Sequence, residues 1–94
     1  MKPENDFGWA INVLRDGGRV ARSGWNGKGM FLFIVLNWEA KPHDVGGGFM
    51  RANDGATERC PLLPFIAMKT ADGNVVPWLA SQTDVLALDW MRPE

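Results

Sequence analysis

The chain has 94 residues, 46% of them hydrophobic, with five tryptophans and a formal net charge of −1. That length leaves no room for a second filled core, and that much apolar surface argues against disorder, so one folded domain spanning residues 1 to 94 is expected. A near-neutral balance gives no general positive field for duplex nucleic acid, and no stretch approaches the about 18 apolar residues of a membrane span. One cysteine, Cys60, excludes an internal disulfide and a CxxC metal cage, fits a reducing compartment, and reads as an unreactive loop thiol. The start, MKPENDFGW, carries no apolar signal core, so a soluble intracellular protein is expected.

Asp6 is a good helix N-cap, and Phe7, Ala10, Ile11 and Leu14 follow at three- and four-residue steps that line one helical face. Gly17 and Gly18 end that pattern, which predicts a helix from about Phe7 to Asp16 with Gly8 and Trp9 on its first turn, where free amides can meet an anion. Trp9 suits surface or interface packing as well as ligand contact. RVAR, residues 19 to 22, reads as a short strand with Val20 and Arg22 on one face. Arg22 either curls to solvent there or meets a phosphate or carboxylate.

MFLFIV at 30 to 35 and LLPFIAM at 62 to 68 are apolar at odd and even positions alike, so both faces need cover. A single ten-residue helix shields one face of a small sheet, and a second copy of the chain is expected on the other. Between them, residues 36 to 61 lose periodicity and carry a triple glycine, which reads as a long excursion with little regular structure. Asp72-Gly73 between apolar segments predicts a hairpin turn, and Pro77 in the returning strand implies a sheet edge or a strand end. SQTD at 81 to 84 is a capping box opening a short helix through about Ala87, and LDWM closes the chain as a last strand. The expected fold class is α+β: one N-terminal helix packed on a small antiparallel sheet of four to five strands, with a second short helix near the C-terminus.

Enzymatic groups are scarce. One histidine, one cysteine and two serines occur without triad or metal spacing, so no catalytic or metal-ligating residue and no cofactor is assigned. His43 reads as solvated, and Asp72 and Asp84 have turn and capping roles. GWNGKG at 24 to 29 is not a P-loop, because glycine follows the lysine where Ser or Thr belongs. It does combine a backbone able to approach a ligand, an indole for stacking, an amide and an ammonium, which are the parts of a nucleotide site. The plainer reading makes Trp25 a core plug and Asn26-Gly27 a turn.

Two ordered segments, FGWAINVLRDGGRVARSGWNGKGMFLF and MKTADGNVVPWLASQTDVLALDW, resemble the second type of Thoeris anti-defence protein over about two thirds of the chain. The resemblance implies a small phage protein in the cytoplasm of an infected bacterium, assembled as a homo-oligomer, commonly a tetramer. It further implies sequestration without cleavage of glycocyclic ADP-ribose, with cyclic di- or trinucleotides at separate pockets in some members. Carried onto this chain, it implies Phe7 and Trp25 as stacking surfaces, Asn26 as a base or ribose reader and Lys28 as a phosphate partner. Met68, Lys69, Gln82, Thr83 and Asp84 join them from the second segment, Asp84 accepting from ribose hydroxyls beside the amides of its helix start. Arg22 is a further anion contact, and the excursion closes over the pocket or forms a second one. Residues 36 to 63 have no counterpart in the resemblance. The competing functions are a phosphodiesterase or glycohydrolase that destroys the same nucleotide, and a structural oligomerisation module.

Overall fold

The structure is a computed structural model that describes residues 5–26, 28–40 and 60–93. Helix α1 spans Phe7–Arg15, and the Asp6 side chain caps it by accepting from the Trp9 amide at 2.9 Å. That bond occupies the Trp9 amide expected to be open to an anion. Ala10, Val13 and Leu14 are buried while Ile11 is half-buried, so the core-facing stripe is turned slightly towards Val13. Gly17, at φ 89°, stops the helix, and the amides of Gly17 and Gly18 close back on the Leu14 and Val13 carbonyls at 3.0 and 2.9 Å. Such a left-handed residue is open to glycine at little cost.

Strand β1, Ala21–Arg22, follows. It is preceded by a two-way bridge in which the Val20 and Leu32 amides each donate to the other's carbonyl. Residues Ser23–Asn26 then form a single helical turn, α2, where a pliant glycine loop was expected. The reason is an anchor at its first residue: the Ser23 amide donates to the Asp89 carbonyl at 3.2 Å and its hydroxyl to Asp89 Oδ2 at 2.9 Å. The chain leaves α2 by a turn in which the Lys28 amide reaches the Trp25 carbonyl at 2.9 Å and Gly29 takes φ 71°.

The strands β2 (Phe31–Val35), β3 (Trp38–Ala40), β4 (Cys60–Leu62), β5 (Phe65–Lys69), β6 (Val75–Pro77) and β7 (Trp90–Met91) complete the described sheet structure, with helix α3 at Gln82–Leu86. The fold is α+β as expected, with an N-terminal helix, small sheets and a short C-terminal helix, but the strands form three small ladders, β1–β7, β2–β5–β6 and β3–β4, and not a single sheet of four to five. The β5–β6 hairpin is antiparallel, with Gly73 at φ 92° in its turn, and Pro77 lies at the end of the edge strand β6 as its missing amide requires. Helix α3 begins with the full capping box on Ser81 and Asp84.

The chain forms two compact units, Met1–Ile34 with Phe65–Glu94, and Val35–Pro64. Within the second, β3 and β4 pair antiparallel with Trp38 opposite Leu62. The expected structureless excursion therefore begins and ends in a β-ribbon. Residues 41–59, including His43, lie outside the described residues, as does the Cys60 side chain.

In the first unit, Ala10, Val13, Leu14, Val20, Leu32 and Trp90 form the buried core, with Phe7, Trp25, Met68 and Trp78 packed on it. Trp90, only 1% exposed, is its largest member, and truncating such a ring costs about 3–5 kcal/mol. The rest of the cover is incomplete. Val75, Leu79, Leu86 and Leu88, all in the stretch 75–88, stand 58%, 91%, 75% and 53% exposed.

Candidate functional site

Four aromatic rings meet on one side of the core. Trp90 sits among them, with Phe7, Trp25 and Trp78 at centroid distances of 5.5, 5.6 and 6.1 Å. Trp25 is nearly perpendicular to both Trp90 and Trp78, at 86° and 78°. Edge-to-face contacts of this kind add about 0.5–1.5 kcal/mol each beyond area burial and fix the ring's tilt. Trp25 is nevertheless only half-buried, so a positioned indole keeps part of its surface in solvent.

Beside the rings lies an ionic node. The Arg22 guanidinium donates through Nε to Asp89 Oδ1 at 3.0 Å and through Nη1 to Asp84 Oδ1 at 3.1 Å. Asp84 uses its other oxygen, Oδ2, to accept from the Ser81 amide at 3.0 Å and hydroxyl at 2.8 Å. Asp89 Oδ2 accepts from Ser23. The node thus ties β1 and α2 to α3 and to the residue before β7, and Trp90 Nε1 strengthens it by donating to the Asp84 carbonyl at 3.0 Å.

The electrostatics follow from these contacts. Burial pushes the Asp84 carboxyl up, but the Ser81 amide, the Ser81 hydroxyl and Arg22 together hold it below the ordinary carboxylate value. Burial likewise opposes ionisation of Asp89, and Arg22 and Ser23 outweigh it. The Asp89 hydrogen bond, opposed by burial and aided by Asp84, leaves the Arg22 guanidinium a still stronger base. Each oxygen of both carboxylates therefore accepts from at least one donor, and both side chains are held ionised.

The structure unites Phe7, Arg22, Trp25 and Asp84 around Trp90, and Met68 packs on the same core. Lys28 is exposed and follows Trp25 directly through its turn bond. Lys69, at the end of β5, stands opposite Val75. Gln82 and Thr83 are exposed on the first turn of α3, where the Thr83 hydroxyl lies 2.8 Å from Ser81 Oγ. Asn26 closes α2, and its side chain lies outside the described residues. Arg22 finds carboxylates within its own chain, and the Asp84 amide is capped by Ser81 at 3.2 Å.

Sequence reasoning did not assign Ser23, Trp78, Asp89 or Trp90 to the site. One signal was present: an arginine on a strand's apolar face requires an acid, and Asp89 stands just ahead of the strand that pairs with it.

A family model described as the Thoeris anti-defense 2-like domain matches residues 5–92. A curated protein described as Thoeris anti-defense 2, from Bacillus phage SP01, is 46% identical over 91 residues, a span that covers 96% of this chain and 96% of that protein. The match takes in every element of both compact units described above.

Proposed function

Because the chain belongs to the Thoeris anti-defense 2-like family, we propose that it serves a phage as a sponge, binding a glycocyclic ADP-ribose immune signal in the host cytoplasm and holding it uncleaved. The observation that carries this reading is Trp25: a half-exposed indole, tilted by Trp78 and Trp90, followed by the exposed ammonium of Lys28. An indole offers a stacking surface to a base and an ammonium offers a charge to a diphosphate. Phe7 and Met68 line the aromatic side of the site, and Asn26, Lys69, Gln82 and Thr83 supply polar contacts. Arg22 and Asp84 hold the surrounding elements in place, and Asp84 keeps its place beside the ligand's ribose.

Sequestration rather than turnover is favoured by the engagement of the carboxylates. Asp84 and Asp89 lie below the ordinary carboxylate value, which excludes them as general acids near neutral pH, and as bases both are already committed to the Arg22 guanidinium. A sponge competes with a receptor, so a Kd of about 1 nM, or about −12 kcal/mol, is required. Stacking at about 1–3 kcal/mol per base and charged hydrogen bonds at about 1.5–3 kcal/mol each reach that only in a preorganised, enclosed site.

A second copy of the chain supplies that enclosure. The exposed leucines and valines of stretch 75–88 support a homo-oligomer, in our reading a tetramer, with pockets completed between subunits. Cyclic di- or trinucleotides at separate pockets remain within the same reading.

The test is incubation of purified protein with glycocyclic ADP-ribose, followed by heat denaturation and analysis of the supernatant. Recovery of intact nucleotide, together with a raised Tm before boiling, supports sequestration. A new product replaces it with hydrolysis, and no thermal shift with any cyclic nucleotide leaves only a structural module.

A further inference from the structure

We infer, on the ligand-facing role proposed for Trp25, that Ser23 and Asp89 are its positioning residues: their paired hydrogen bonds pin the single turn α2 where it presents the indole for stacking.

Helix α2 cannot hold its own shape. It is four residues long, Ser23–Asn26, and a first helical turn fixes several backbone angles in return for one hydrogen bond. Serine, glycine and asparagine are also weak helix formers. Gly24 does not wedge the turn against the fold, since among the described residues nothing lies within 4 Å of a Cβ built there. The bond from the Lys28 amide to the Trp25 carbonyl is local and ties the turn only to its own loop. Its backbone is anchored to a distant element at its first residue.

There the ladder of β1 with β7 runs on by one position. Beyond Ala21 opposite Met91 and Arg22 opposite Trp90, the Ser23 amide donates to the Asp89 carbonyl at 3.2 Å, and the Ser23 hydroxyl adds a bond to Asp89 Oδ2 at 2.9 Å. Asp89 is a firm acceptor, because Arg22 Nε donates to its Oδ1 at 3.0 Å while Arg22 Nη1 is tied to Asp84 at 3.1 Å. The next residue is Trp90, whose buried ring meets Trp25 at 5.6 Å and 86°. One dipeptide thus fixes both the start of α2 and the ring against which Trp25 stands. Ring contacts alone define a tilt. How much of the half-buried indole reaches solvent depends on where the backbone of α2 is pinned.

The alternative is a pair of bonds that stabilises the fold without setting the indole. Indole N–H NMR spectra of the full chain separate the two, with the Trp25 signal assigned by Trp25→Phe. Ser23→Ala removes the hydroxyl at an exposed position, and the Asp89 side chain, 38% exposed, takes water at Oδ2 instead, so the fold is kept. In the free variant the Trp25 signal should shift, while that of Trp90, bonded to the Asp84 carbonyl, stays in place. Asp89→Asn should move Trp25 in the same way, and Ser23→Thr, which keeps a hydroxyl, should return it. Calorimetry with glycocyclic ADP-ribose well below the Tm should show binding about tenfold weaker in Ser23→Ala and recovered in Ser23→Thr, tenfold being the equivalent of one charged hydrogen bond. A Trp25 signal unmoved in Ser23→Ala overturns the inference, as does joint movement of the Trp25 and Trp90 signals, which marks general loosening. Unchanged affinity beside a shifted Trp25 does the same. An unaltered chain that binds no cyclic nucleotide removes the sponge reading alone, because the spectra of the free chain still decide whether Ser23 and Asp89 set the indole.

Discussion

Trp90 donates from its indole nitrogen to the Asp84 carbonyl at 3.0 Å, joining the most buried ring of the core to the helix that carries half of the ionic node. Two substitutions separate its functions. Trp90→Phe keeps a ring and loses the bond, at a cost of about 1–3 kcal/mol for the carbonyl left unpaired. Trp90→Ala also removes the partner of Phe7, Trp25 and Trp78, and about 3–5 kcal/mol should be lost. Urea denaturation followed by fluorescence measures both, and equal midpoints for the two variants would show that the ring's packing contributes little.

The ionic node makes stability depend on acid. Asp84 and Asp89 both have carboxyls below their ordinary value in the folded chain, so the unfolded chain takes up protons first as pH falls. Their contribution is complete above the ordinary carboxylate value of about 4 and is lost as pH falls through the lowered folded values. The Tm should therefore change little between neutrality and about pH 5, then drop steeply below about pH 4. Asp89→Asn should lower the plateau and flatten the drop. A variant whose acid limb keeps the original steepness would place the effect elsewhere.

Local chemistry was legible in the sequence where one residue decides one conformation. Asp6 and Ser81 cap their helices, Gly73 makes its turn and Pro77 marks its edge as their side chains require. The arrangement of the three ladders was not legible, because it depends on long-range pairings: Ser23 bound to Asp89 beside β1–β7, and Val20 bridged to Leu32 of β2. The same holds for the site. Trp25, Arg22 and Asp84 stand out as residue types, whereas the centrality of Trp90 comes from long-range contacts, its pairing with Arg22 and its packing against Phe7, Trp25 and Trp78. A ring in a two-residue strand carries no periodicity from which its depth can be read.

Trp25→Ala should weaken nucleotide binding by at least about tenfold, since stacking contributes about 1–3 kcal/mol per base. Trp25→Phe should recover part of the loss. Lys28→Ala, at an exposed position, should weaken binding without moving the Tm of the free protein. Calorimetry with glycocyclic ADP-ribose, beside circular dichroism of each variant, provides the check. Unchanged affinity in both alanine variants would remove them from the site.

Gly73→Ala tests the hairpin. Nothing lies within 4 Å of the added methyl, so the cost is that of the backbone at φ 92° alone, about 1–2 kcal/mol. For a domain of this size each kcal/mol lowers the Tm by about 4–8 °C. Gly73→Asn should cost less, because asparagine tolerates left-handed backbone, and scanning calorimetry of the pair decides whether strain is the cause.

The exposed leucines provide a test of assembly. Leu79 and Leu86 are 91% and 75% exposed in the single chain, and one such residue on a surface is ordinary. Together with Val75 and Leu88 in the same stretch, they are more than a solvated edge strand and a short helix need. If a second copy covers them, Leu79→Asp with Leu86→Asp buries charge at the contact and should release smaller species, with the helical and sheet signals retained. Light scattering coupled to size exclusion reads the mass directly. A wild-type chain that already runs as a monomer, or a double variant of unchanged mass, would leave these side chains without a partner of their own kind and would remove the enclosure that the proposed nanomolar binding requires.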